Sequence, residues 1–150
     1  MIDVLFIVPN NSKHIYQGLS SKYSAIETPT WALLLAESCR SKNFSVDILD
    51  TNAEQLDDKN SFEKIKALNP KLILFVVYGQ NVNAGTTNMS GTVRLAKYLK
   101  SEDLKIPISI VGSHVQALPL ETLKKETSID FVFTNEGVYA LHNLLKTNLK

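Results

Sequence analysis

The sequence predicts an α/β domain: one parallel sheet with helices on both faces, in three layers. Short apolar runs dense in Val, Ile and Phe alternate with helix-patterned segments five times along the chain. Most of those runs lack the apolar-polar alternation of a half-exposed strand, which marks strands covered on both sides. The 150 residues, 44% hydrophobic and 21% charged, suit a single domain able to bury about 68–70% of the surface its unfolded chain exposes.

The first strand is expected over Val4 to Val8, where Asp3 precedes a short apolar run. With no basic leader and no cleavage site, that start reads as a strand and not as a signal peptide. The first helix follows over Thr30 to Ser41, with Pro29 near its start, where a missing N–H is tolerated. It carries the one cysteine, Cys39, among Trp31, Leu33, Leu34 and Leu35. A lone thiol builds neither a disulfide nor a cysteine metal site within the chain, and Cys39 is expected to be a small buried residue. A strand over Ser45 to Leu49 comes next. The helix over Ser61 to Leu68 places Phe62, Ile65 and Leu68 at helical spacing beside Glu63, Lys64 and Lys66, and Asn69 and Pro70 stop it. A third strand over Leu72 to Tyr78, a helix over Thr87 to Leu99, a fourth strand over Ile106 to Val111 and a short helix over Leu120 to Lys125 follow. Phe131 to Phe133 and Val138 to Leu149 complete the pattern as the fifth strand and last helix.

Repeated strand-helix-strand units imply right-handed crossovers and a parallel sheet. With five units, the flavodoxin-like (Rossmann-like) strand order 2-1-3-4-5 is expected over the six-stranded dinucleotide fold. In such sheets ligands bind beyond the carboxyl ends of the strands, where neighbouring connections diverge to opposite faces. The segments after Val8, Tyr78 and Val111 therefore matter most. Sixteen basic residues against 15 acidic ones leave a net charge of +1, which supplies no field for nucleic acid or anionic lipid, so no nucleic-acid or membrane partner is expected. No stretch reaches the roughly 20 apolar residues that span a bilayer, and a cytoplasmic location is the default expectation.

After the first strand, "PNNSKHIYQGLSSKYSAIETPT" runs for about twenty residues without helical or strand period. Connections in such units usually span about 2–6 residues, so this length signals function or a surface excursion. His14, Tyr16, Gly18 and Tyr23 in it are residues that lie against or bond to a large planar ligand. After the third strand, "YGQNVNAGTTNMSG" offers Gly79 and Gly85 with the amides of Gln80, Asn81, Asn83 and Asn88. Amides both donate and accept and match a neutral, amide-bearing ligand, although the same residues are ordinary in turns and caps, and Thr86 or Thr87 is expected to cap the next helix. After the fourth strand, Gly112 and Ser113 lack bulk and let a ligand approach the backbone, with His114 beside them. Glu136 and Gly137 open the last helix, where an acid also suits the helix dipole.

No G-x-G-x-x-G follows a strand and no GxxxxGK occurs, which removes the dinucleotide fingerprint and the P-loop. The third strand ends in Tyr78 and not in an Asp, so a phosphoacceptor domain is excluded as well. His14, His114 and His142 are scattered, and neither a catalytic triad nor a metal-ligand set can be drawn from them.

Three segments, in order and spanning nearly the whole chain, resemble the cobalamin-binding domain of cobalamin-dependent radical S-adenosylmethionine enzymes. "TPTWALLLAESCRSKNFSVDILDTN" is similar to that family's P-x-G-L-x-x-L-A-x-x-L-x-x-x-G-x-x-V-x-x-x-D opening, "IVGSHVQALPLETL" to its V-x-G-G-x-H-x-x-x-x-P-E-x-x-L segment, and "IDFVFTNEGVYALHNLL" to its D-x-V-x-x-G-E-G-E stretch. The chain departs from the pattern at Trp31 and Ala32 (for Gly-Leu), at Asn43 and Ser113 (for Gly), and at Asn135 and Val138 in the last motif. Ser12, His14 and Gly18 only approximate the D-x-H-x-x-G motif of methionine-synthase-like domains, so no His ligand to cobalt is expected.

The resemblance implies a corrin against the carboxyl edge of the sheet with its nucleotide tail in a groove. It implies cofactor-binding roles for Gly112, Ser113, His114, Glu136 and Gly137, with Tyr78, Gly79 and Gln80 added from their loop position. It implies an accessory domain with no catalytic residues, the N-terminal part of a longer enzyme. Its S-adenosylmethionine and four-iron four-sulfur cluster would belong to a radical domain outside these 150 residues, because one cysteine cannot hold such a cluster. A flavodoxin-like module for another ligand such as a nucleotide, or an interaction domain that no longer binds cobalamin, stands as the alternative.

Overall fold

The computed structural model describes residues 2–11, 19, 26–79, 82–147 and 149, with positions 82 and 83 by backbone alone. The elements are β1 (Val4–Val8), α1 (Thr30–Arg40), β2 (Val46–Asp50), α2 (Asp58–Leu68), β3 (Leu72–Val77), α3 (Val82–Ser101), β4 (Ile108–Gly112), α4 (Ser113–Ala117), α5 (Pro119–Lys125), β5 (Phe131–Phe133) and α6 (Val138–Lys146). All strand pairs are parallel and their order is β2-β1-β3-β4-β5. This is the expected three-layer topology. The register sets Val8 opposite Asp50, Val77 opposite Gly112 and Val111 opposite Phe133, so Tyr78 and Ser113 leave the sheet side by side.

Every residue of β3 and β4 is buried, as their unbroken apolar runs require. One face packs Leu5, Ile7, Ile73, Phe75, Val77 and Ile110 against α2 and α3. The other packs Phe6, Leu74, Val76 and Val111 against Ala32, Leu35, Ala36 and Cys39 of α1 and Leu141 of α6. A fully buried side chain of this kind contributes about 1.5–3 kcal/mol, and the two layers fix which helices flank the strand ends. Two-sided cover stops at the edges. In β2 only Leu49 is buried, and Phe131 of β5 is 37% exposed, because an edge strand has one neighbour and fewer helices over it.

The boundaries shift for local reasons. The β4 ladder starts at Ile108, two residues after the expected Ile106, because Pro107 has no N–H to give; its carbonyl still accepts from Ile73 N–H. Asp57 caps α2 by accepting the Asn60 N–H at 2.8 Å, which starts that helix before Ser61. Thr86 or Thr87 was expected to cap α3, yet both lie inside a helix that already runs from Val82, and the Thr87 hydroxyl donates to the Ala84 carbonyl at 3.1 Å. Asn43 (φ 65°) and Asn69 (φ 45°) take the left-handed conformation after α1 and α2, which Asn tolerates better than most residues.

Charged anchors sit at the amino edge of the sheet. Asp3 accepts from Ser45 N–H (2.8 Å) and from Lys71 Nζ (2.7 Å), and Asp130 accepts from Ile108 N–H (2.7 Å) and Lys100 Nζ (2.9 Å). The carboxyl ends of β1, β3 and β4 run instead into "PNN", "YG" and "GSH". Among the described residues no helix is long and apolar enough to cross a membrane.

Candidate functional site

Three chain segments meet at the carboxyl edge, and α3 organises two of them. After β1, buried Asn11 donates to the Thr87 carbonyl (2.6 Å) and accepts from Ser90 Oγ (3.0 Å). Arg94 donates to the Asn10 carbonyl (3.2 Å) while its Nε faces both oxygens of Asp58. A Cβ at Gly91 would stand 2.7 Å from the Asn10 carbonyl oxygen, so only glycine lets the strand exit lie on the helix. Sequence reasoning passed over Gly91, although a glycine inside a helix is a known sign of close approach.

The small residues after β3 and β4 serve the same helix. A Cβ at Gly112 would collide with the Val77 carbonyl oxygen, one at Gly85 with Ser113 Oγ, and one at Gly79 with the Ala84 side chain. Gly79, Gly85, Gly112 and Ser113 thus let the first turn of α3 close onto the ends of β3 and β4. Half-buried His114 extends toward that turn, with Nδ1 3.3 Å from Thr86 Oγ1. It also lines an open groove of about 610 Å³ between α3 and the α4–α5 pair, beside Met89, Val93, Leu118 and Glu121.

Tyr78, Glu136 and Gly137 gather on the other face, that of α1 and α6. The Tyr78 hydroxyl donates to the Asn135 carbonyl at 3.2 Å. Burial, then the Glu136 charge, pushes the Tyr78 phenol above its ordinary range, so it stays a neutral donor at physiological pH. Gly137 precedes α6 at φ 72°, and a Cβ there would press on Phe133 at 3.1 Å and Val111 at 3.3 Å. Trp31, in the first turn of α1, stacks on Tyr78 with ring centroids 4.6 Å apart and planes tilted by 26°. The sequence showed Trp31 as an apolar residue of the first helix and a departure from a motif; that it meets Tyr78 depends on how α1 lies across the sheet.

The predicted site residues therefore divide into two groups across one edge: Gly79, Gly112, Ser113 and His114 toward α3, and Tyr78, Glu136 and Gly137 toward α1 and α6. Gln80 and Asn81 lie outside the described residues, as do Ser12, His14, Tyr16, Gly18 and Tyr23. Asn88 reaches the Tyr78 carbonyl only at 3.5 Å. Cys39 is fully buried, and burial pushes its thiol up to about 12. Among the described residues no group of three or more His, Cys, Asp or Glu side chains could hold a metal ion.

A family model for the B12 binding domain matches residues 16–145. The chain belongs to the B12-binding domain family. This B12-binding domain is similar in fold to TsrM, a radical S-adenosylmethionine methyltransferase from Kitasatospora setae. A structure of that enzyme with tryptophan substrate and a SAM analog superposes with TM-score 0.73 at 16% identity, covering 99% of this chain and 26% of that one. A second, with cobalamin and a 4Fe-4S cluster bound, gives TM-score 0.71 at 16% identity and covers 99% and 25%. The monomethylamine corrinoid protein of Methanosarcina barkeri superposes with TM-score 0.58 at 15% identity, covering 95% of this domain and 57% of that chain. The domain thus spans about a quarter of the length of the methyltransferase. Comparison with curated proteins gives no match.

Proposed function

We propose that this B12-binding domain holds cobalamin across the carboxyl edge of its sheet and presents it to a radical S-adenosylmethionine catalytic unit, with no histidine of this chain on the cobalt. The observation that carries this is the run of uncharged amide, phenol and hydroxyl groups at the ends of the central strands. Among the described residues, the first positions beyond β1, β3 and β4 include Asn10, Asn11, Tyr78, Gly79, Ser113 and His114, none of them a carboxylate or an ammonium, while Asp3 and Asp130 are placed at the opposite edge. Cobalamin carries a rim of neutral amides, and neutral groups that donate and accept suit it better than fixed charges do. Bound there, the cofactor supplies a cobalt centre able to carry an alkyl group; the protein orients it.

Within this proposal, Tyr78 offers a phenol that stays protonated, Ser113 a hydroxyl and His114 an imidazole, while Gly112 and Gly137 let the segments that carry them pack closely. Gly79 and Glu136 flank Tyr78 and Gly137, and Gln80 extends the amide-bearing segment in sequence. The catalytic unit, with its S-adenosylmethionine and four-iron four-sulfur cluster, belongs to another part of a longer enzyme. Family membership and the fold shared with a cobalamin-bound methyltransferase support the proposal.

Purified protein mixed with hydroxocobalamin and passed through a sizing column is expected to retain about one corrin per chain with a shifted visible spectrum. After reduction to the cobalt(II) state, electron paramagnetic resonance should show no histidine nitrogen on the metal, and His14→Ala and His114→Ala should leave that spectrum unchanged. Loss of a nitrogen signal in His14→Ala would contradict the unligated arrangement. The rival proposal, an interaction domain that no longer binds a corrin, draws on Trp31 at a position where the related pattern has glycine; elution of the protein free of corrin would favour it.

A further inference from the structure

We propose that Trp31 is a specificity-determining residue of this edge, its outward ring face receiving the planar aromatic base of the corrinoid's nucleotide tail. The inference rests on the cobalamin reading and adds the residue that tells one corrinoid from another. Tyr78 covers one face of the indole at 4.6 Å, yet 43% of the Trp31 surface stays accessible. Tyr78 is a fixed backing for it: the ring packs with the buried layer of Phe6, Val76, Val111 and Phe133, and its hydroxyl is tied to Asn135. The first turn of α1, closed by the Leu33 N–H on the Pro29 carbonyl at 3.0 Å, fixes the backbone that carries Trp31.

An indole held flat in this way presents an electron-rich apolar face to solvent. A heteroaromatic base laid on it completes a three-layer stack and removes apolar surface from water on both partners. Glu136 lies near enough to act on the Tyr78 phenol through its charge. A carboxylate there repels an anionic group and leaves a neutral base undisturbed, so the observations favour the base over the phosphate of the tail.

The test compares hydroxocobalamin with diaquocobinamide, which has the corrin without the base. Equilibrium dialysis measures both against the wild-type protein, Trp31→Ala and Trp31→Phe, each checked for folding by circular dichroism. The wild type is expected to hold cobalamin more tightly than cobinamide. Trp31→Ala should shrink that preference by about fivefold to tenfold, the worth of one aromatic pair, while Trp31→Phe keeps most of it and cobinamide affinity stays level across all three. A preference unchanged in Trp31→Ala overturns the inference and leaves the corrin site standing. Failure of the wild type to bind either corrinoid overturns the cobalamin reading, and this inference with it.

Discussion

At Gly112 a single hydrogen in place of a methyl group decides whether two strand ends can meet. Its Cβ position is taken by the Val77 carbonyl oxygen, an atom of the neighbouring strand that cannot rotate aside as a flexible side chain would. Gly112→Ala is therefore expected to destabilise the fold by about 2–3 kcal/mol, the cost of overpacking a site that cannot relax, read as a lower urea midpoint with an unchanged slope. Gly112 and Gly91 also illustrate how far a sequence speaks for single residues. A glycine ending a strand was legible as a place of small bulk. That the space at Gly112 goes to the Val77 carbonyl depends on a neighbour remote in the chain.

Among the elements, α2 begins at a side-chain cap, whereas α1, α4, α5 and α6 begin without one. Asp57 supplies the acceptor for α2, and Asp57→Ala is expected to cost about 1 kcal/mol, measurable as a lowered melting temperature with the far-ultraviolet spectrum unchanged at room temperature. The helix over Ser61 to Leu68 was readable from its apolar spacing, while its start was not, since Asp57 and Asp58 are equally plausible caps on paper. α3 is the larger surprise. Its run begins five residues before Thr87 and includes Gly85, and the turn packed on Ser113 makes a glycine there an asset to the helix. The five-residue α4 inside "VGSHVQALP" was not expected; Leu118 N–H bonds the His114 carbonyl at 3.0 Å and Pro119 then opens α5. The last helix stops at Lys146, short of Leu149, whose φ of 50° lies outside helical geometry.

Across the whole molecule the two edges of the sheet differ in charge. Carboxylates pin the amino edge, and the first described residues beyond β1, β3 and β4 at the carboxyl edge include no carboxylate or ammonium. The Lys71 ammonium and the Ser45 N–H, working against burial, hold the Asp3 carboxyl below its ordinary 3.8. A carboxyl with a lowered folded-state pKa contributes its full stability above the unfolded value and loses it as pH falls through the folded value. Stability should therefore be flat in this respect at neutral pH and fall below about pH 4, and Asp3→Asn should be less stable at pH 7 with a shallower loss on acidification, followed by thermal melts across that range. Asp130 stays in place in this variant and anchors the β4 side.

By itself the sequence determined the strands, their parallel order and the edge at which to look, because burial on both faces writes continuous apolar runs into the chain and five βα units leave few topologies. Its motifs also pointed to the B12-binding family. Only the tertiary structure decided that Trp31 lies on Tyr78, that Gly91 receives Asn10, and that the expected site residues divide between the two faces of the sheet. Those contacts join residues far apart in the chain, and the way a helix lies over a sheet is set by how two surfaces interlock, which no local pattern records.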